Sequence, residues 1–134
     1  MREILFRGKR LDNGEWVYGD FVNDWSNQNT KPSKTIYNNI GKYVVIPETI
    51  GQYTGLTDKN GTKIFEGDIV KYKDYSYDDG IKDGVGKIKY YQSSASYCIC
   101  TERIYINSFH EIVEEDVEVI GNIHDNPELL QDNK

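Results

Sequence analysis

The 134-residue chain has only two cysteines, two histidines and one methionine, and no apolar run near the roughly 20 residues a membrane-spanning helix needs. Each shortage excludes something. Two cysteines cannot build a disulfide framework, and Cys98-x-Cys100 places both on one face of a regular strand, where they read as small half-buried residues. The opening Met1-Arg2-Glu3-Ile4-Leu5 lacks the continuous hydrophobic stretch of a signal peptide, so cytosolic residence is expected. No Gly-x-Ser-x-Gly elbow is present, and neither histidine lies in a catalytic motif. His124-Asp125 makes no dyad, because neighbouring side chains on extended backbone point apart. Gly51, Gly55, Gly61 and Gly67 are spaced for turns rather than for cradling a phosphate. Neither enzymatic activity nor a cofactor is expected.

Two metal readings fail on spacing. Cys98, Cys100, His110 and His124 match the ligand types of tetrahedral zinc, but a Cys-x-Cys pair is tighter than structural zinc sites use and the histidines are far apart. An EF-hand loop starting at Asp74 would need Gly at position 79 and Glu at position 85, where the chain has Asp79 and Val85. The acidic stretch 74–84 therefore reads as a solvated loop, with a weak cation site at Asp78 and Asp79 the lesser alternative.

Positive charge is also scarce where it would matter for nucleic acid. The net charge is −6. Residues 1–67 hold nine Lys/Arg against eight Asp/Glu, residues 68–101 five against five, and residues 102–134 two against nine. A chain so balanced suits duplex DNA poorly, since that affinity comes largely from cations releasing phosphate counterions. The acidic C-terminal region reads first as a solubility feature.

Tyrosine and turn residues are abundant instead. Eleven Tyr and two Trp, with frequent Gly, Asn and Asp, suit short strands joined by tight turns. The organising stretch is 51–72. Residues 52–54 read as a strand that Gly55 breaks, and Asp58-Lys59-Asn60-Gly61 is a reverse turn in which Asn60 and Gly61 tolerate positive φ. Residues 62–65 resume a strand. At Glu66-Gly67-Asp68 the chain bends again, with Gly67 left-handed and Asp68 accepting from nearby backbone N–H groups.

Taken in order, residues 3–7 and 16–22 read as strands joined through Asn13-Gly14. The second carries apolar groups on both faces, which predicts an internal hairpin with Trp16 and Phe21 in the core, each costing roughly 3–5 kcal/mol on truncation to Ala. Residues 24–34 read as an exposed loop. Residues 35–37 and 43–46 read as short strands separated by Asn38-Asn39 and Gly41, with Pro47 ending the second. Strands are then predicted at 69–73, 85–91, 95–101, 104–109 and 117–123, with a turn at Gln92-Ser93-Ser94 and another at 113–116. Asn126, Pro127 and Glu128 signal the cap and first turn of a short helix docked by Leu129 and Leu130. The class is all-β, mainly β: N-terminal β-hairpins, then a small SH3-like barrel or meander, then a short C-terminal helical turn. One compact unit over 1–134 is expected, with sub-units at 1–50 and 51–134.

The segment Gln52-Tyr53-Thr54-Gly55-Leu56, Asp58-Lys59-Asn60-Gly61 and Ile64-Phe65-Glu66-Gly67-Asp68-Ile69-Val70 closely resembles the signature of the YopX family. Arg2-Glu3-Ile4-Leu5-Phe6-Arg7 looks like that family's opening strand, and Glu118-Val119-Ile120-Gly121-Asn122-Ile123 with Asn126-Pro127-Glu128-Leu129-Leu130 like its closing motif. Phe65 stands where Tyr is commoner. The resemblance implies a β-rich protein encoded by phages and prophages of Gram-positive bacteria, with no assigned activity; the cytoplasm expected from the missing hydrophobic stretch is then that of the host bacterium. It also marks Gly51, Gln52, Tyr53, Thr54, Gly55, Leu56, Asp58, Asn60, Gly61, Glu66, Gly67, Asp68, Gly121 and Asn122 as structural motif positions.

Two functions from different classes remain. A protein-interaction module would meet a host or phage protein through a Tyr-rich β surface, since Tyr offers contact area with a polar tip. A single-stranded nucleic-acid binder would stack bases on Tyr72, Tyr90 or Tyr91 while Lys71, Lys73, Lys87 and Lys89 track phosphates. Alternating Lys and Tyr is also ordinary for a half-exposed strand. The protein partner is favoured, nucleic acid second, and a homo-oligomer is compatible with either.

Overall fold

β-prone runs punctuated by Gly, Asn and Asp leave little scope for helix, and the structure follows that pattern. The computed structural model describes residues 3–24, 37–74, 80–101, 105–108 and 116–131. Among them twelve strands form three antiparallel sheets, with a single short α-helix, so the class is all-β. The chain divides into two compact units, Met1–Tyr53 and Thr54–Lys134. That division falls inside one strand, β6 (Gly51–Thr57).

In the first unit β1 (Phe6–Lys9) lies between β2 (Trp16–Gly19) and the start of β6, with Phe6 opposite both Gly19 and Gln52. A second sheet has the order β3 (Phe21–Asp24), β4 (Tyr37–Ile40), β5 (Tyr43–Val44). Gly8 permits close packing, since a Cβ there would stand 3.1 Å from that of Val45. Pro47 opens a 3-10 turn over Pro47–Thr49. Buried Thr49 secures it by donating to the Ile46 carbonyl at 2.6 Å and accepting from the Lys9 N–H at 2.9 Å.

Here the sequence reading needs correction. Residues 16–22 are not one internal strand, because the chain leaves the β1 sheet after Gly19 and enters another at Phe21. The missing side chain at Gly19 leaves room for Ile40, whose Cγ2 lies 3.6 Å from where a Cβ would be. Phe21 is not a core residue: it is 38 % exposed, its ring edge-on to Phe6 at 5.6 Å. Trp16 is half-buried beneath two cations, Arg7 at 4.7 Å and Lys9 at 5.5 Å from its ring centroid. Neither truncation would empty a fully enclosed cavity, so the core-sized penalty is withdrawn. Asn38 and Asn39 lie within β4 rather than between strands. Residues 25–34 of the expected loop, and the expected strand residues 35 and 36, lie outside the described residues.

The second unit holds the end of β6, β7 (Lys63–Phe65), β8 (Asp68–Asp74), β9 (Lys82–Tyr91), β10 (Ser96–Cys100), β11 (Tyr105–Ser108) and β12 (Val117–Asn122). The order β11-β10-β9-β8-β12 is a meander whose last strand returns to the first. Alternation sends Val70, Tyr72, Ile88, Ile99 and Val117 to one face, where with Ile64 they form the core. The helix α1 (Glu128–Gln131) follows Pro127 as expected, but the Asn126 side chain turns back to accept from the Asn122 N–H at 3.3 Å. Asp83 and Gly84, assigned by sequence to an acidic loop, are paired in β9 with Lys73 and Tyr72.

Gly67 takes φ 92° at the bend before β8, donating its N–H to the Ile88 carbonyl while its own carbonyl accepts from the Ile123 N–H, each at 2.9 Å. A Cβ is strained in that conformation. Gly67→Ala is therefore expected to lower the unfolding free energy by about 1 kcal/mol or more in chemical denaturation. An unchanged midpoint would show that the bend carries no such strain.

Candidate interaction surface

The signature residues serve the fold. Gly51 and Gln52 pair with Arg7 and Phe6, and Tyr53 is buried. Thr54 donates its hydroxyl to the Ile64 carbonyl at 2.8 Å and accepts from the Leu56 N–H, while Leu56 packs on the core. Gly55 does not break the strand: at φ 91° it is a left-handed residue within β6, which runs on to Thr57. In the following turn Gly61 takes positive φ, at 81°, and Asn60 does not. Glu66 is half-buried and Asp68 buried, its carboxylate accepting from the Phe65 N–H at 2.8 Å. Near the closing motif, Gly121 makes space for Asn126, and the Asn122 side chain accepts from the N–H groups of His124 and Asp125.

Asp58 is the most heavily used of these groups. One carboxylate oxygen accepts from the N–H groups of Asn60 and Thr62, and the other from Val119, each at 2.9 Å. Burial pushes its carboxyl up, but the hydrogen bonds from Val119, Thr62 and Asn60 outweigh that and hold it below the ordinary carboxylate range. An anion so committed to backbone donors binds the chain to itself. It is a structural group.

The Lys/Tyr stripe divides on inspection. Register puts Lys71, Lys73, Lys87 and Lys89 on one face of β8 and β9, with Tyr91 and, on β10, Cys98 and Cys100. Tyr72 points the other way and is 3 % exposed in the core, so it is removed from the stacking set. Tyr90 shares that inward side but lies at its margin, 42 % exposed and edge-on to Tyr97 at 5.1 Å. Lys71 pairs with Asp83 at 3.5 Å and neighbouring Lys59 with Glu118 at 3.6 Å. The Lys89 ammonium lies 5.4 Å from the Tyr91 ring centroid, and Cys100 reaches the Tyr91 hydroxyl at 3.2 Å. The face is mixed in charge.

Sequence reasoning missed a second feature, in the first unit. Arg10, Leu11, Asp12, Lys42, Tyr43 and Val44 line a recess of about 460 Å³. Leu11 N–H donates to the Val44 carbonyl at 2.9 Å, which brings the turn after β1 against β5. The Arg10 guanidinium grips Asp12 through Nε at 3.0 Å and Nη2 at 2.7 Å and stacks 4.2 Å from the Tyr43 ring centroid. Hydrogen bonding from Arg10 holds the Asp12 carboxyl below its usual range. The residues stand about thirty apart in sequence, and Lys42-Tyr43 beside a turn was the one local signal.

Both cysteines are free thiols and buried. Among the described residues no three His, Cys, Asp or Glu side chains gather as metal ligands, and His110 lies outside them.

An all-β chain of two small units, with its signature polar groups spent on turns and strand edges, defines a class of β-meander proteins. The model of the YopX protein family matches residues 5–131, and the chain belongs to that family. Among solved structures it is similar to protein EF1440 from Enterococcus faecalis, at 26 % identity with a TM-score of 0.57, covering 97 % of this chain and 99 % of that one. No curated protein matches.

Proposed function

We propose that this YopX-family chain is a non-enzymatic protein-interaction module working in the cytoplasm of a prophage-bearing bacterium. The observation that carries the reading is where apolar surface lies. Of the eight large hydrophobic residues exposed among the described residues, five belong to the first unit: Ile4, Leu11, Tyr18, Phe21 and Val22. Five exposed aromatic and aliphatic side chains in so small a unit are available for burial against a partner. Buried Asp58, Asp68 and Thr49 all serve backbone groups, which supports a scaffold over a catalyst. Free thiols suit a reducing compartment. The meander order with its returning last strand supports an SH3-like barrel for the second unit.

Lys73, Lys87, Lys89 and Tyr91 on one face keep the single-stranded nucleic-acid reading as the alternative. Fluorescence anisotropy with labelled single strands over a salt series, beside a cross-linking pull-down, separates the two. The expected result is a cross-linked protein partner and no micromolar strand binding at physiological salt. Micromolar binding that weakens when Lys87 and Lys89 are neutralised, with a log–log salt slope of about −2 to −3 for three or four phosphate contacts, would reverse the order.

A further inference from the structure

Building on the interaction reading, we propose that the recess between the turn at residues 10–14 and the turn at residues 41–42 docks a peptide segment of a partner protein in which an apolar side chain adjoins a carboxylate. Its walls are apolar where a side chain would enter: Leu11 is 60 % exposed, and Val44 and the Tyr43 ring are half-buried. The volume of about 460 Å³ is ample for one large side chain. Because the recess is open, it suits an anchor residue of a larger partner better than a free small molecule, which such sites bury almost whole.

Charge fixes the second half of the ligand. Arg10 is answered by Asp12, whereas Lys42, 5.3 Å from the Tyr43 ring centroid, has no ion pair among the described residues. The residues lining the recess therefore carry one net positive charge, two cations against Asp12, while Glu15 acts on Arg10 from outside the lining and leaves Lys42 as the cation that selects the carboxylate. Arg10 is also pre-oriented, since Asp12 occupies Nε and Nη2 and Tyr43 lies under the guanidinium plane, leaving Nη1 as a fixed donor. A donor held in place loses little freedom on binding. Strand addition is not the mode here. Leu11 N–H and Gly14 N–H already donate to the carbonyls of Val44 and Arg10, so the side chains do the recognising. Asp12 beside the cations opposes a run of phosphates but not a single carboxylate.

The test uses two dipeptide probes that differ by one group, acetyl-Leu-Asp-amide and the neutral isostere acetyl-Leu-Asn-amide, titrated into the full ¹⁵N-labelled chain. Saturable shifts of the Leu11, Lys42, Tyr43 and Val44 amides are expected with the acidic probe, at a dissociation constant on the order of 1 mM for a ligand of this size. The isostere should bind about threefold or more weakly. Lys42→Gln should abolish that preference and leave the isostere unaffected, while Leu11→Ser weakens both probes about fivefold. Both positions are exposed, so the variants should melt like the parent. Absence of saturable shifts at these amides, equal binding of the two probes, or a preference that survives Lys42→Gln would overturn the assignment. If the probes fail while cross-linking still recovers a partner, the recess is wrong and the interaction reading stands. If the probes bind and no partner is found, the peptide site stands and the cellular role is wrong.

Discussion

Gly86→Ala is expected to destabilise the protein by about 2–3 kcal/mol, although it adds only one carbon atom. A Cβ at Gly86 would stand 2.7 Å from the Cys100 carbonyl oxygen and 2.7 Å from Ile99 Cγ2. Neither neighbour has room to yield. The carbonyl belongs to β10, which is paired on both sides by β9 and β11, and Ile99 is fully buried. Gly84, two residues earlier on the same face, is covered by the Tyr72 ring in the same way. Urea denaturation of Gly86→Ala beside Ser94→Ala, an exposed turn control, gives the comparison. A midpoint for Gly86→Ala equal to the control would mean that β9 and β10 do not approach as closely as described.

Asp58→Ala is the second large effect, about 2–4 kcal/mol, because the substitution strands three backbone donors at once. The same carboxylate makes a pH prediction whose sign follows from its depressed folded value. Its contribution is complete above the unfolded carboxyl value of about 4 and is lost as pH falls through the lower folded value. Wild-type unfolding free energy should therefore fall below about pH 4, and the difference between wild type and Asp58→Ala should shrink there. A difference that stays constant from neutral to strongly acidic pH would show that the charge of Asp58 contributes nothing. Asp58→Asn is no remedy, since its amide nitrogen would face one of the N–H groups that the carboxylate now accepts.

What the sequence disclosed was local, and what it concealed depended on distance along the chain. Gly67 and Gly61 were legible because a positive φ leaves a residue-type signature. The pairing of residues 85–91 with 95–101 was legible because a short polar turn joins them. By contrast, Phe21 looked like core because alternation within one strand says nothing about a change of sheet at Asp20. Tyr72 looked like surface because its neighbours Lys71 and Lys73 are. Its burial rests on Gly84 and Gly86, whose missing side chains on β9 leave the space its ring and Ile99 fill. The recess at Tyr43 escaped notice for the same reason, since it exists only where Leu11 meets Val44.

The turn at Asp58 has one further consequence. Strand β12 stands at the margin of its sheet, the position from which β-proteins polymerise, because unpaired N–H and C=O groups there invite another chain. Val119 N–H and Val117 C=O are already occupied, by the Asp58 carboxylate and the Lys59 N–H at 3.0 Å. By holding that N–H and that C=O, the most recognisable stretch of this sequence takes two groups of the β12 margin out of reach of a neighbouring chain.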